Sequence, residues 1–223
     1  MKLSNGKKMS LAELEKSLLL YAVTDRSWTG EKSLYEQVEQ TLKGGTTFVQ
    51  LREKELSYED FLQEGKVIQK LCKEYDVPFV INDNVELAKE LDADGVHIGQ
   101  DDMTISDARK IIGNDKILGV SVQTVEDAIF AEKEGADYLG VGAVFSTSTK
   151  LDAVDVSYKM LKEICAAVKI PVVAIGGINK NNILDLQNSG ICGVAVVSAI
   201  FAEKDIFGAT KELLELAKKV RGA

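Results

Sequence analysis

The stretch EGADYLGVG, residues 134–142, runs from the end of a predicted helix through a turn of small residues into an apolar run. The same order recurs in LDADGVHIG at 91–99 and in SGICGVAVV at 189–197. Because no low-complexity tract or linker separates these copies, the recurrence indicates one domain assembled from repeated βα units.

Eight short apolar runs alternate with segments of helical periodicity, near residues 18–23, 47–51, 78–82, 94–98, 117–121, 138–144, 171–175 and 193–197. Nearly continuous apolar runs are typical of parallel strands that are covered on both faces. Eight such units in 223 residues predict a single-domain α/β fold, the (β/α)8 TIM barrel. A doubly wound open sheet is the alternative, but its usual G-x-G-x-x-G is replaced by VTDRSWTGE at 23–31.

Helix signals fill the intervals between the apolar runs. They are an apolar stripe at Leu34, Val38 and Leu42 that ends at Gly44-Gly45, N-cap residues at Ser57 and Thr124, and an amphipathic segment at roughly 205–220. Residues 1–17 precede the first unit and form an N-terminal extension of unknown role, which leaves 18–223 as the predicted catalytic domain.

The composition excludes several classes of protein. Apolar residues make up 45% and charged residues 28%, as in an ordinary soluble globular domain. The net charge of −8 argues against a nucleic-acid partner, and the apolar run at 18–23 is too short to span a membrane. Three scattered cysteines without a C-x-x-C pair are typical of a reducing compartment, so we expect a cytoplasmic protein.

Polar residues and glycines follow each apolar run, where a TIM barrel places its active site. They are Gln50, Leu51, Arg52, Glu53 and Lys54 after the second run, Asn82 and Asp83 after the third, Asp102 after the fourth, Ser121 after the fifth, Thr147, Ser148, Thr149 and Lys150 after the sixth, Gly176-Gly177 after the seventh, and Val197-Ser198 after the eighth. Three cations beside Asp83 and Asp102 suit a diphosphate bound with Mg²⁺. The glycines and the predicted helix start at Ser198 suit a second phosphate, which implies two phosphorylated ligands.

Each position also has a structural interpretation that the residues alone leave open. Arg52 and Lys54 around Glu53 are compatible with a surface ion-pair set, and Asp83 between asparagines is compatible with a turn. His97, the only histidine, lies inside a predicted strand and is expected to be a hydrogen-bonded structural residue. Asp25-Arg26 is either an ion pair or part of the ligand site.

The ordered set of motifs resembles the thiamine-phosphate synthase family, also called thiamine-phosphate pyrophosphorylase. The motifs are YAVTD, FVQLREKE, VINDN, DGVHIGQDD, LGVSV, GADYLGVGAVFSTSTK, VVAIGGI and VAVVSAI, between about residues 18 and 202. The resemblance implies a transferase of thiamine biosynthesis. It would condense 4-amino-2-methyl-5-(diphosphooxymethyl)pyrimidine with 4-methyl-5-(2-phosphoethyl)thiazole, or its carboxylated form, and release pyrophosphate in a dissociative step.

The resemblance also implies roles for the site residues. Pyrimidine-diphosphate binding falls on Gln50, Leu51, Arg52, Glu53, Lys54, Asn82, Ser121 and Lys150, and thiazole-phosphate binding falls on Thr147, Ser148, Thr149, Gly177, Val197 and Ser198. Asp83 and Asp102 would bind Mg²⁺, and Arg52, Lys54, Lys150 and Ser121 would be catalytic. The implied partners are these two small molecules, and a homo-oligomer is compatible with the resemblance.

One position departs from the family pattern, since Ser146 stands where these proteins usually have proline. Three rival functions remain at this point: a thiazole tautomerase-like paralogue, a non-catalytic phosphate-binding barrel that acts as a sensor, and a sugar-phosphate isomerase or epimerase. The carboxylates and Lys150 favour the synthase over the tautomerase, and two anion sites argue against the sensor. An isomerase needs an acid/base pair that the sequence does not show.

Overall fold

The computed structural model describes residues 1–30, 32–100, 102–146 and 156–222. Eight parallel strands close into a barrel in sequence order: β1 Leu20–Val23, β2 Phe48–Leu51, β3 Phe79–Asn82, β4 Gly95–Ile98, β5 Ile117–Val122, β6 Tyr138–Val141, β7 Val172–Ile175 and β8 Gly193–Val196. The last strand pairs with the first through Leu20 and Val194. The predicted single-domain TIM barrel is confirmed, and the open sheet is excluded.

Helices pack around the barrel and follow most strands. In the described ranges they are α1 Leu11–Ser17, α2 Leu34–Gly44, α3 Tyr58–Glu74, α4 Val85–Glu90, α5 Ile105–Ile112, α6 Val125–Lys133, α7 Tyr158–Ala167, α8 Ser198–Phe201 and α9 Ile206–Arg221, with short 3-10 helices at Arg26–Trp28 and Ile183–Leu186. The predicted N-caps at Ser57 and Thr124 are confirmed, because their side chains accept hydrogen bonds from Asp60 and Asp127.

The side chains of the strands alternate between two apolar clusters. Outward-facing residues such as Leu20, Ala22 and Val49 pack against the helices. Inward-facing residues such as Tyr21 and Phe48 fill the barrel. This two-sided burial explains why the strands read as continuous apolar runs.

The N-terminal extension closes the amino end of the barrel. Leu3, Met9 and Leu14 are buried in the same cluster as the inward-facing strand residues. The amide of Ser4 donates to Asp94, just before β4, over 2.5 Å. Residues 1–17 therefore form a cap over the amino end of the barrel. The polar residues that follow the strands lie at the opposite end. The predicted start of the first strand is also shifted, because Leu18 still donates to Leu14 and ends α1.

Candidate active site

Arg52 is held in place at the carboxyl end of the barrel, called the rim here. Its guanidinium lies 3.1 Å from Asp25, and its amide donates to the hydroxyl of Thr24 over 2.9 Å. Asp25 also accepts a hydrogen bond from the Ser27 amide. Asp25 thus pairs with Arg52, and its sequence neighbour Arg26 pairs with Glu53 and Glu64, so the two neighbours do not form an ion pair with each other.

Glu53 points away from the rim. Its side chain is only 1% exposed and accepts two hydrogen bonds of 3.1 Å from Arg26. The same guanidinium lies 2.7 Å from Glu64 on α3. Burial and the hydrogen bond to Glu64 raise the pKa of Glu53 to about 7, although Arg26 opposes the shift. The Glu53 carboxylate therefore anchors the loop, and only its backbone is left to face a ligand.

Gln50 and Leu51 face opposite ways, as neighbours in a strand must. Leu51 is fully buried in the outer cluster, so its side chain packs against the helix layer. Gln50 points inward, and its side-chain nitrogen donates to the hydroxyl of Tyr21. Asn82 ends β3 beside His97 of β4. Lys54 follows in the same loop as Arg52, with an exposed side chain.

Asp83 and Asp102 are brought together by the loops after β3 and β4. Asp83 adopts a left-handed backbone, with φ of 61°, and its amide donates to the His97 carbonyl over 2.8 Å. Asp102 accepts a hydrogen bond of 2.6 Å from Gly99. Burial, a hydrogen bond to Asp102 and the charge of Asp102 raise the pKa of Asp83 to about 6, and Lys54 and Arg52 oppose this shift.

This pair has the chemistry of a divalent cation site. Two neighbouring carboxylates repel each other when both are ionised, and a bound cation removes that repulsion. Among the described residues no group of three or more His, Cys, Asp or Glu side chains is arranged to hold a metal. Two protein ligands, with further oxygens from a phosphorylated substrate and water, are typical of Mg²⁺. The residues therefore fit Mg²⁺ held jointly with substrate.

The loops after β6 and β7 pack tightly on each other. The amide of Phe145 donates to the Gly176 carbonyl over 3.1 Å. Gly177 has φ of 65°, and a Cβ there would lie 2.5 Å from the carbonyl oxygen of Ser146. Only glycine fits this close approach. The structure thus places Ser146 beside Gly177, whereas Thr147, Ser148, Thr149 and Lys150 lie outside the described residues.

The start of α8 provides backbone donors near β8. Val197 caps this helix and Ser198 is its first residue, as the sequence predicts. Within the described chain the amides of Ser198 and Ala199 donate no hydrogen bond. Unbonded amides at a helix start are suited to an anion, in keeping with the predicted phosphate site.

A polar chain crosses the barrel interior beneath the rim. The hydroxyls of Tyr21 and Tyr138 lie 2.8 Å apart, and that of Tyr138 lies 2.9 Å from Nδ1 of His97. The other ring nitrogen of His97 lies 2.9 Å from Oγ of Ser121. The prediction that His97 is hydrogen-bonded is confirmed. Sequence reasoning missed both tyrosines, because a tyrosine in a buried strand looks like any other apolar core residue.

Two surface cavities lie apart from the carboxylate pair. One of about 470 Å³ lies between α2 and α3 and is lined by residues including Tyr35 and Val67. The other, of about 530 Å³, lies at the amino end and is lined by residues including Glu15 and Cys192. Neither cavity is lined by Lys54, Asp83 or Asp102.

Two further findings bear on the class of protein. Within the described ranges, no helix combines the length and the apolar character needed to cross a membrane. Residues 20–200 match the family model described as thiamine monophosphate synthase.

Individual relatives agree with the family model. The chain is 54% identical over 197 residues to the thiamine-phosphate synthase of Ruminiclostridium cellulolyticum, which covers 88% of this chain and 94% of the relative. It is 50% identical over 196 residues to the thiamine-phosphate synthase of Clostridium botulinum, and this match covers 88% of this chain and 92% of that relative. The structure of thiamine phosphate pyrophosphorylase from Pyrococcus furiosus superposes with a TM-score of 0.86 at 42% identity, and the match covers 93% of this chain and 98% of that structure's chain. The chain is therefore a transferase that belongs to the thiamine monophosphate synthase family.

Proposed function

We propose that the chain joins 4-amino-2-methyl-5-(diphosphooxymethyl)pyrimidine to 4-methyl-5-(2-phosphoethyl)thiazole, or its carboxylated form, with release of pyrophosphate and, from the carboxylated form, of CO2 as well. The observation that carries this proposal is the meeting of Asp83 and Asp102 beside the charges of Arg52 and Lys54, because opposite charges from three different loops converge on one part of the rim.

The diphosphate end of the pyrimidine would be bound by this cluster. Asp83 and Asp102 would hold Mg²⁺, which when bound neutralises charge on the diphosphate oxygens. Arg52, positioned by Asp25, and Lys54 would stabilise the charge that grows on the departing pyrophosphate. Lys150, which comes after β6 in the sequence, is predicted to share this role.

The pyrimidine ring would be bound deeper in the rim. Gln50 and Ser121 end the buried polar chain, and Asn82 lies on the neighbouring strand. The C–O bond to the diphosphate breaks first, and the amino group of the ring stabilises the positive charge left on the methylene carbon. The thiazole nitrogen then forms the new C–N bond through its own electron pair. That nitrogen carries no proton, so the step requires neither a protein nucleophile nor a general base.

The thiazole phosphate would be bound on the other side of the rim. Gly177 and the amides at the start of α8 supply backbone donors there, together with the predicted contacts from Val197, Ser198 and the Thr147, Ser148 and Thr149 loop. This arrangement would place the two substrates against each other across the barrel mouth. Binding both in that geometry supplies a large part of the rate enhancement.

The direct experiment mixes purified protein, Mg²⁺ and both phosphorylated precursors and measures thiamine phosphate and pyrophosphate by chromatography. We expect both products in equal amounts, with Asp102→Asn strongly reduced. A folded protein that binds both precursors and forms neither product would contradict the proposal. Isomerised thiazole without coupling would point instead to the tautomerase, and binding alone would point to the sensor.

A further inference from the structure

Five side chains from five strands form one continuous hydrogen-bonded chain. It runs from the side-chain nitrogen of Gln50 to Tyr21, on to Tyr138 over 2.8 Å, to Nδ1 of His97 over 2.9 Å, and from its Nε2 to Ser121 over 2.9 Å. Both ends are rim residues with a predicted ligand role, and the two tyrosines between them are buried.

Each of the two tyrosines has a single hydroxyl proton to donate. Tyr21 and Tyr138 are at most 1% exposed, and burial raises the pKa of both hydroxyls well above the ordinary value. Each therefore stays protonated and can donate only once. In the described chain the partners of Tyr21 are Gln50 and Tyr138, and those of Tyr138 are Tyr21 and His97. A donor at the Gln50 end thus sets the direction of the bond between the two tyrosines and of the bond from Tyr138 to His97.

We propose that Gln50 sets the direction of these hydrogen bonds and that the hydrogen-bonded side chains present Ser121 to the ligand as a hydrogen-bond donor. The amide nitrogen of Gln50 can only donate, so Tyr21 accepts and passes its own proton to Tyr138. Tyr138 then donates to Nδ1 of His97, which leaves the proton of the neutral imidazole on Nε2. That proton goes to Ser121, whose own proton is free to point out of the barrel.

Gln50 and Ser121, at the two ends, can then discriminate between pyrimidine ligands. In the described chain the side-chain oxygen of Gln50 accepts no hydrogen bond, so the rim offers an acceptor at Gln50 and a donor at Ser121. A 4-aminopyrimidine offers the matching N–H donor and bare ring nitrogen. A 4-oxopyrimidine offers the opposite pattern and would leave buried groups unpaired. This step rests on the proposed function, because it takes Gln50 and Ser121 as the contacts of the pyrimidine.

Two glycines leave the space that the chain needs. A Cβ on Gly119 would lie 2.2 Å from the Tyr138 ring and 2.5 Å from Nδ1 of His97. A Cβ on Gly140 would lie 3.1 Å from the His97 ring. Any side chain at 119 would therefore displace Tyr138 and His97, so glycine at this position is needed for the hydrogen bond between them.

The first test uses the fact that His97 is the only histidine. Protein labelled with ¹⁵N-histidine and purified without a histidine tag gives the signals of a single imidazole, so its tautomer can be assigned directly by NMR. We expect a proton on Nε2 and none on Nδ1 in the ligand-free protein. A proton on Nδ1, alone or together with Nε2, would overturn the proposed direction. The measurement involves no substrate and stands whether or not the proposed function does.

Gln50→Glu provides the matched reversal. A carboxylate at this position accepts a hydrogen bond from Tyr21. Each hydrogen bond from Tyr21 to Ser121 should therefore reverse its direction, and the His97 proton should move to Nδ1. Tyr138→Phe keeps the ring but breaks the chain, and His97 should then lose its single tautomer. An unchanged tautomer in both folded variants would show that the direction is set elsewhere. If either variant unfolds, the wild-type tautomer still decides the direction.

The second test compares binding of the 4-aminopyrimidine diphosphate with that of its 4-oxo counterpart by calorimetry. We expect wild-type protein to prefer the amino compound by roughly 100-fold or more, because the oxo compound opposes both fixed groups. Equal affinity would overturn the selectivity. Failure of both compounds to bind would contradict the proposed function, and the NMR result would then stand alone.

Discussion

Arg26 and Glu53 form a two-bonded ion pair in which only the carboxylate is buried, with Nε and Nη2 of the arginine each 3.1 Å from a different carboxylate oxygen. This pair turns the residue between Arg52 and Lys54 away from the rim. Arg52 and Lys54 therefore flank a carboxylate that does not face the rim, and Glu53 shares the Arg26 guanidinium with Glu64.

The first prediction concerns this buried carboxylate. The folded protein raises the pKa of Glu53 to about 7, above its ordinary 4.5, so the protonated form favours folding. Its stabilising contribution is complete below about pH 4.5 and is lost as the pH rises through 7. In Glu53→Gln the free energy of unfolding should therefore fall less between pH 5 and pH 8 than in the wild type. Urea unfolding at both pH values measures this difference, and exposed Glu59→Gln is the control that should behave as wild type.

The second prediction tests the charge of the same loop. Lys54→Met should lower turnover by about 100-fold and leave the melting temperature nearly unchanged, because the removed charge acts on the departing diphosphate. Lys110→Met is the control, since Lys110 is an exposed lysine in the last turn of α5, at the opposite end of the barrel. Equal activity of the two variants in a steady-state assay would remove Lys54 from the mechanism.

The third prediction concerns Mg²⁺ and the two rim aspartates. Burial and Asp102 raise the pKa of Asp83 to about 6, so ionising Asp83 costs stability as the pH rises through 6. Mg²⁺ with pyrophosphate should recover that loss, and the rise in melting temperature should be larger at pH 8 than at pH 5. In Asp102→Asn the melting temperature should rise only slightly on addition of Mg²⁺ with pyrophosphate, at pH 5 and at pH 8. A rise of wild-type size in Asp102→Asn would contradict the metal site.

The fourth prediction addresses Ser146. Its amide donates no hydrogen bond to a described residue, so a proline there removes no hydrogen bond among the described residues. We expect Ser146→Pro to raise stability by about 0.4–1 kcal/mol, through a less flexible unfolded chain, and to tighten binding of the thiazole phosphate. Denaturant unfolding and calorimetry measure the two effects. A loss of both would mean that the loop needs the freedom that serine allows.

The fifth prediction tests whether the cap over the amino end belongs to the folding unit. Leu14 is fully buried against the residues that fill the barrel. Leu14→Ala should cost about 2–5 kcal/mol of stability, whereas Leu11→Ala, exposed on the same helix, should cost far less. Turnover of the folded fraction should not change in either variant. Similar small losses would show that the cap is dispensable.

The sequence was sufficient for the barrel because strand burial on both faces and the recurring βα turn are local signals. The rim positions followed from that fold alone, since residues after each strand must meet at one end. The side-chain partners of those residues could not be predicted from the fold alone. Asp25 reaches Arg52 and Glu53 reaches Arg26 across 27 residues, and only side-chain direction decides which pairs form. Alternation along β2 likewise decides that Leu51 faces the helices.

The cap over the amino end has a practical consequence for attaching the chain to other objects. The amino group of Met1 donates to the Met9 carbonyl over 3.1 Å, and Arg221 donates to Glu15 over 3.0 Å, so both ends of the described chain meet at the cap. A linker to a sensor chip, a bead or a second enzyme can therefore leave from either end. In each case the rim, at the opposite end of the barrel, is oriented away from the support and toward the solution.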